Sequence, residues 1–321
     1  MNRFIQKCNK EITTAEYSYY TARGACGTSF RIVQVSDLQS EYFGERQIGL
    51  LRAVERCRPD IIVITGDLVD RSHTDYLAAE LAVKGLVNLA PVYYVNGNHE
   101  ADLPGTEAAD LYRTLEKHGV HVLMDSGRML ELGGMRVNIA GLSEYTLFQA
   151  RRQQAGTGHR TKKSGLVIPA VVRQIRCAFG DRKQKKEVPG ASDAGDVNAA
   201  GSVNGEGCAD GVSGAERLRE TAGALRILLA HEPQYLRYYS AGRPDLIFSG
   251  HAHGGQFCLP GKERRGLFAP DQGVFPKLTS GCHRFAGSTM YISRGLGNSS
   301  FPLRLNNPPE IVCVEVIGTA E

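Results

Sequence analysis

The stretch "FRIVQVSDLQS", residues 30–40, joins an apolar run to a group of polar residues and indicates the fold of the chain. The β-branched side chains within residues 32–35 predict a buried strand. The run stops abruptly at Ser36 and Asp37, and Gln39 follows two positions later. Asp37 could cap a helix, or its carboxylate could bind a metal ion. The rest of the chain decides between these two interpretations.

Composition and charge describe an ordinary globular protein. The 321 residues are 42% apolar and 22% charged, and the net charge of +4 gives no reason to expect specific nucleic-acid binding. No apolar run reaches the 18 residues of a membrane span, and the first 20 residues lack the apolar centre of a signal peptide. The eight cysteines include no C-x-x-C pair, which favours free thiols over a structural zinc site. We therefore expect a cytoplasmic protein, with membrane association as an alternative.

Short apolar runs, most of which end at Gly, Ser or His, alternate with helical patterns. Helical spacing occurs at residues 45–58, 75–89 and 107–120. This alternation predicts an α/β fold in which at least the first strands are parallel. The predicted strands cover residues 30–36, 60–66, 91–97, 136–142, 225–231, 245–251, 289–295 and 310–318.

Residues 151–222 interrupt this alternation. Residues 151–190 contain eleven Lys and Arg against two acidic residues, around a short apolar piece at 165–179. Residues 189–216 are rich in Gly, Ala, Ser and Asp, a composition that predicts disorder. We interpret 151–222 as an insertion within one domain, residues 31–318, which a lead-in segment, 1–30, precedes. The basic part is most simply a solvated face, with a peripheral membrane contact through 151–190 as the alternative.

Polar side chains with metal-binding chemistry follow five of the predicted strands. In an open α/β sheet, ligands bind beyond the carboxyl ends of the strands. Each residue alone has an ordinary explanation, such as a helix cap for Asp37 or a core histidine for His231, but their joint placement predicts a metal site. Carboxylates, an amide and imidazoles without thiolates suit Mn, Fe or Zn, and there are more ligands than one ion needs, which indicates two divalent ions. The residues are Asp37, Gln39, Asp67, Asp70, Asn98, His99, Glu100, His231, His251 and His253.

The order of these motifs, D-x-Q, G-D-x-x-D, G-N-H-E, H and G-H-x-H, resembles the calcineurin-like metallophosphoesterase family. "PVYYVNGNHE" (91–100), "GLFAPDQGVFPK" (266–277) and "SRGLGNS" (293–299) resemble its bacterial branch that often carries an N-terminal membrane anchor, although no anchor pattern occurs here. The resemblance implies two packed mixed β-sheets flanked by helices. It also implies hydrolysis of a phosphomonoester, phosphodiester or pyrophosphate bond by a metal-bridging hydroxide. The substrate would be a phosphorylated small molecule or a lipid-linked phosphate.

Carried over position by position, the resemblance implies a role for each residue. The first ion would be bound by Asp37, Gln39, Asp67 and His253. The second ion would be bound by Asp67, Asn98, His231 and His251, so that Asp67 bridges the two. His99 would protonate the leaving oxygen or stabilise the developing charge, and Asp70 would orient His99 by accepting its other ring N–H.

Gln39 departs from the pattern, since most members of the family have histidine at this position. The side-chain oxygen of glutamine is a neutral hard donor, so we interpret Gln39 as a ligand that favours Mn²⁺, with Fe or Zn as alternatives. The rival hypothesis is a catalytically impaired protein that keeps the fold and acts as a binding module at anionic surfaces.

Overall fold

The computed structural model describes residues 10–156, 167–181, 223–259, 266–298 and 303–320. Within these ranges the chain forms two six-stranded sheets and a small separate hairpin. The strands are β1 (Thr13–Thr21), β2 (Ser29–Val35), β3 (Ile61–Thr65), β4 (Val92–Val95), β5 (His121–Val122), β6 (Gly127–Leu132), β7 (Met135–Leu142), β8 (Leu225–Ala230), β9 (Leu246–Ser249), β10 (Phe268–Ala269), β11 (Gly273–Val274), β12 (Gly281–Phe285), β13 (Ser288–Ile292) and β14 (Glu310–Gly318). The helices are α1 (Ile48–Arg56), α2 (Tyr76–Leu86), α3 (Asn98–Ala101), α4 (Gly105–Lys117), α5 (Glu144–Gly156), α6 (Val167–Ala178) and α7 (Leu236–Ala241).

Both large sheets are mixed. The first has the order β1-β14-β2-β3-β4-β5, with β2 to β5 parallel and β14 antiparallel to β2. The second has the order β12-β13-β9-β8-β7-β6, with parallel central strands and an antiparallel strand at each edge. The fold class predicted from the sequence is confirmed, as are the parallel first strands.

The central strands are apolar on both faces because each sheet packs against the other sheet on one face and against helices on the other. In β3, Ile61 and Val63 pack between the two sheets, whereas Ile62 and Ile64 pack in the cluster that contains residues of α1, α2 and α4. The outer face of the second sheet packs with α5, α6 and α7 in a third cluster. Strands buried on both faces appear in the sequence as continuous apolar runs, which is why the pattern predicted them.

Strand β1 lies in the segment 1–30, which the sequence analysis placed before the domain. It pairs in parallel with β14 along its whole length, from Thr13 opposite Glu310 to Thr21 opposite Gly318. Its side chains alternate between exposed and half-buried, as expected for an edge strand with one covered face. The division at residue 31 stays a prediction as a domain boundary, but the first sheet already begins at residue 13.

Helix α6 lies in the predicted insertion, 151–222, yet it belongs to the core. Val171, Ile175 and Phe179 are buried in the cluster on the outer face of the second sheet. The apolar piece that the sequence analysis placed within the insertion therefore includes a helix that packs in the core of the domain. Residues 182–222, including the Gly/Ala/Ser-rich part, lie outside the described ranges. In the ranges that are described, no helix has the length and apolar character that a membrane span requires.

Candidate metal centre

The predicted ligands converge where strands of both sheets end. Asp37 and Gln39 follow β2, Asp67 follows β3, and Asn98 begins α3 just after β4. From the second sheet, the loops after β8 and β9 contribute three histidines, His231, His251 and His253. Except for the half-buried Asn98, all of these side chains are buried.

An unusual backbone conformation accompanies most of the ligands. Five of them have positive φ angles between 45° and 64°, in the left-handed region that residues with a Cβ rarely adopt. Such a conformation costs on the order of 1–3 kcal/mol for each residue and is concentrated at functional sites. The fold therefore maintains a strained arrangement here, which supports a functional role. The five are Asp37, Gln39, Asp67, His251 and His253.

Two clusters of possible metal ligands share Asp67. Asp37, Asp67 and His253 form one cluster, and Asp67, His231 and His251 form the other; within each cluster the ligand atoms lie within 4.8 Å of one another. The Asp67 Oδ2 atom lies 3.2 Å from His231 Nε2, and Asp37 Oδ1 lies 3.6 Å from His253 Nε2. A carboxylate common to two clusters is the arrangement required of a ligand that bridges two ions.

Two buried oxygen atoms in this centre lack hydrogen-bond partners among the described residues. They are Asp37 Oδ2 and Gln39 Oε1. The Gln39 amide is held by its Nε2 atom, which donates to Asp67 Oδ2 at 2.8 Å. A buried acceptor without a partner costs about 1–3 kcal/mol, and a cation would satisfy both oxygens. The donor set therefore fits divalent metal ions.

The second cluster is prepared for metal binding by its hydrogen bonds. His231 Nδ1 donates to the Thr65 carbonyl at 2.7 Å, which turns Nε2 toward Asp67 Oδ2 at 3.2 Å. Burial alone would lower the pKa of His231, but the charge of Asp67 raises it well above its usual value, so a bound ion would replace the proton on Nε2. The Asn98 Oδ1 atom lies between His231 Nε2, at 3.1 Å, and His251 Nδ1, at 2.8 Å. Burial alone would raise the pKa of Asp67, but the neighbouring His231 lowers it below the usual range, so the shared carboxylate is ionised.

In the first cluster, a buried guanidinium lies against a ligand. Arg304 Nη2 is 3.3 Å from His253 Nδ1, and Arg304 Nη1 donates to the Arg294 carbonyl at 2.8 Å. Burial lowers the pKa of His253 to about 4, and the positive charge of Arg304 acts in the same direction. The ring is therefore neutral at neutral pH, as a metal ligand must be.

Glu100 is a supporting residue whose role the sequence analysis did not assign. Its buried carboxylate accepts from the amides of Asp67 and Gly97, both at 2.8 Å, and from the amide of Val69 at 3.1 Å. Glu100 thereby ties the loop after β3 to the loop after β4. The glycine is required beside it, since a Cβ at position 97 would lie 2.2 Å from Asp67 Oδ1. The motif G-N-H-E singled out Glu100 but did not show whether its carboxylate binds a metal ion or holds the two loops in place.

The structure places His99 at the centre but not in contact with Asp70. The His99 Nδ1 atom accepts from the Arg71 amide at 3.1 Å, whereas Asp70 Oδ1 is 4.0 Å away, beyond hydrogen-bond range. Asp70 instead accepts from the backbone amides of Ser72 and His73, at 2.6 and 3.2 Å, and closes its own turn. The orienting contact assigned to Asp70 is therefore made by Arg71. Because this hydrogen bond uses Nδ1 as the acceptor, the proton of the neutral His99 ring is on Nε2, which lies 3.9 Å from Asp67 Oδ2.

A charged group next to the centre was not found from the sequence. Glu232, the neighbour of His231, is buried and forms an ion pair with Arg151, whose Nε donates to the Tyr235 hydroxyl at 2.7 Å. Glu144 faces Glu232, and burial together with the Glu232 charge raises the pKa of Glu144 well above its usual value. Glu232 is the partner that holds Arg151.

The calcineurin-like phosphoesterase family model matches residues 30–255, which is more than half of the chain. The chain belongs to the calcineurin-like phosphoesterase family. Together with the buried Asp and His clusters, this membership makes the chain a metal-dependent phosphoric ester hydrolase, as the sequence analysis expected. The narrower assignment to a bacterial branch with a membrane anchor stays a prediction.

Three relatives illustrate the range of the similarity. An uncharacterized metallophosphoesterase of Aquifex aeolicus is 27% identical over 311 residues, which cover 94% of this chain and 91% of that protein. Phosphodiesterase YaeI of Escherichia coli is 34% identical over 94 residues, or 29% of this chain and 32% of that protein. UDP-2,3-diacylglucosamine pyrophosphatase LpxG of Chlamydia muridarum is 33% identical over 89 residues, or 26% of this chain and 27% of that protein.

Proposed function

We propose that the protein is a phosphoesterase with a dinuclear metal centre. Asp37, Gln39, Asp67 and His253 would bind the first ion, and Asp67, Asn98, His231 and His251 the second. The observation that carries the proposal is the pair of clusters that share Asp67, beside two buried oxygens that have no hydrogen-bond partner in the described part of the chain. When bound, two divalent ions polarise the phosphoryl group and make hydroxide available near neutral pH.

The role that we propose for His99 is protonation of the leaving oxygen. The Arg71 amide occupies Nδ1 of the ring, so the transferable proton is on Nε2, which faces the shared carboxylate. A positioned general acid of this kind contributes typically about 10²–10⁴-fold to the rate. The amide of His99 also donates to Asp67 Oδ1 at 2.9 Å, which fixes the carboxylate relative to the ring.

The bond that is hydrolysed would be a phosphomonoester, phosphodiester or pyrophosphate bond. The names of two relatives, a phosphodiesterase and a pyrophosphatase, support the latter two classes. The substrate would be a phosphorylated small molecule or a lipid-linked phosphate. We propose Mn²⁺ as the preferred ion, because Gln39 offers a neutral oxygen where an imidazole would favour softer metals.

The test measures metal content and turnover on the same preparations. We expect about two ions per chain after Mn²⁺ reconstitution and hydrolysis of bis-p-nitrophenyl phosphate. His99→Ala should lower kcat by about 10²–10⁴-fold with unchanged metal content, whereas Asp67→Ala should lose both ions. A protein that binds no metal and hydrolyses nothing would contradict the proposal and favour a binding module. If His99→Ala loses metal as Asp67→Ala does, the division of roles is wrong.

A further inference from the structure

Arg151 is a cationic side chain that the proposed reaction does not yet use. It belongs to α5 and forms an ion pair with Glu232. A carboxylate oxygen of Glu232 lies within 4.8 Å of a ring nitrogen of His251, so Arg151 is separated from the metal centre by this carboxylate alone. Its side chain is 37% exposed, whereas that of Glu232 is 1% exposed. A cation fixed on a buried carboxylate thus reaches solvent at the edge of the metal centre.

The guanidinium is held in one orientation by several contacts. Glu232 engages one terminal nitrogen, Tyr235 engages Nε, and the guanidinium carbon lies 5.3 Å from the centre of the Tyr235 ring. Among the described residues these hydrogen bonds leave the other terminal nitrogen for a ligand. Arginine in a fixed orientation binds phosphate oxygens with directional, charge-assisted hydrogen bonds.

The alternative of a third metal ion at this place is disfavoured by charge. Glu232, His251 and Asp271 each offer a ligand atom within 4.8 Å of the others. However, Glu232 is already neutralised by Arg151, and Asp271 Oδ2 lies 3.2 Å from His251 Nε2. A cation there would be repelled by the adjacent guanidinium, whereas an anion would be attracted to it.

We propose that Arg151 binds a second phosphate of the substrate, next to the phosphoryl group at the metal centre. This inference rests on the proposed function and narrows it to substrates that carry two adjacent phosphates, as in a pyrophosphate linkage. Glu232 acts as a positioning residue, since it holds Arg151 without reaching the substrate itself.

The experiment compares binding of two non-hydrolysable probes, methylphosphonate and methylenediphosphonate, to the Mn²⁺-loaded protein by calorimetry. Arg151→Lys keeps the charge but loses the forked geometry. The double variant Arg151→Met with Glu232→Gln removes both charges, so that no buried carboxylate is left unpaired. Arg152→Met is the matched control, because Arg152 is the exposed neighbour on α5 and lies over Phe148 instead.

We expect the wild-type protein and Arg152→Met to bind the diphosphonate about 10- to 100-fold more tightly than the monophosphonate. The double variant should lose this preference, and Arg151→Lys should retain part of it, with metal content and methylphosphonate affinity unchanged in both. An equal preference in wild type and the double variant would overturn the inference. Absence of both metal and methylphosphonate binding in the wild type would instead overturn the proposed function.

Discussion

Gln39 occupies the position where the resemblance to the family implies histidine, and its surroundings are those expected of a metal ligand. Its Oε1 atom is buried and has no hydrogen-bond partner among the residues that the structure describes, and its Nε2 atom donates to the shared carboxylate of Asp67. The backbone at Gln39 is also in the strained left-handed region, with φ of 51°. A residue that had lost its role would have no reason to keep either feature. We therefore interpret Gln39 as an adapted ligand of the first ion.

Substitution of Gln39 tests this interpretation. Gln39→Ala should weaken binding of the first ion selectively, because only the first cluster loses a donor. Gln39→His should retain turnover and shift the preferred metal from Mn²⁺ toward Zn²⁺ or Fe, since imidazole is the softer donor. Activity measured during metal titrations of the three proteins gives the answer. A wild type that is inactive with every metal, and a Gln39→His variant that alone hydrolyses substrate, would identify Gln39 as a defect.

At the scale of the elements, α6 changes the description of the middle of the chain. Its buried residues Val171 and Ile175 are four positions apart and lie on one face of the helix, and the buried Phe179 follows directly after its last residue. The core that they join also contains Leu142 of β7 and Tyr239 of α7. A deletion of 151–222 would remove this face and uncover the outer side of the second sheet, so it cannot be neutral for stability.

A single substitution on this face measures its contribution. Ile175→Ala should lower the free energy of unfolding by about 2–5 kcal/mol, through lost burial and the cavity left behind. Arg173→Ala is the control, because Arg173 is exposed on the same helix and should change stability by less than about 0.5 kcal/mol. Urea denaturation of the three proteins provides the comparison. Equal stability of both variants would mean that α6 does not contribute to the core in solution.

At the scale of the whole molecule, the metal centre joins the two sheets. Asp37 and Asp67 belong to loops of the first sheet, and His231, His251 and His253 to loops of the second. The backbone makes the same connection, since the His251 amide donates to Asp37 Oδ1 at 2.9 Å. Bound ions would therefore crosslink both halves of the sandwich, and metal binding should be coupled to the stability of the entire domain.

Chelation should consequently lower the melting temperature. At a free Mn²⁺ concentration 100 times the Kd, one site adds about 2.7 kcal/mol to the free energy of unfolding, which corresponds to roughly 4–5 °C for a domain of this size. Thermal unfolding with Mn²⁺ and with EDTA measures the effect. The Asp67→Ala variant should show no Mn²⁺-dependent shift, and a shift equal to that of the wild type would indicate that the metal stabilises the protein elsewhere.

The positions of the central strands and of the ligands could be predicted from the sequence because both depend on local patterns. A strand that is buried on both faces has a continuous apolar sequence. The polar residue that follows it lies at the carboxyl end of the strand, whatever the position of that strand in the sheet. Asp37, Asp67 and His231 were found in this way. The common edge of the parallel strands β2 and β3 explains why Asp37 and Asp67 lie together, whereas His231 reaches them from the second sheet.

The tertiary structure alone decided the features that depend on contacts between distant residues. Glu232 and Arg151 are 81 positions apart, and Glu100 reaches back 33 positions to the Asp67 amide, so no local pattern could reveal either contact. Strand β1 alternates weakly because one face is open, and α6 lies between basic stretches that obscure its apolar face. The predicted hydrogen bond from His99 to Asp70 does not form for the same reason. An aspartate beside a turn can accept hydrogen bonds from nearby backbone amides or from a distant ring, and only the packing determines which of the two occurs.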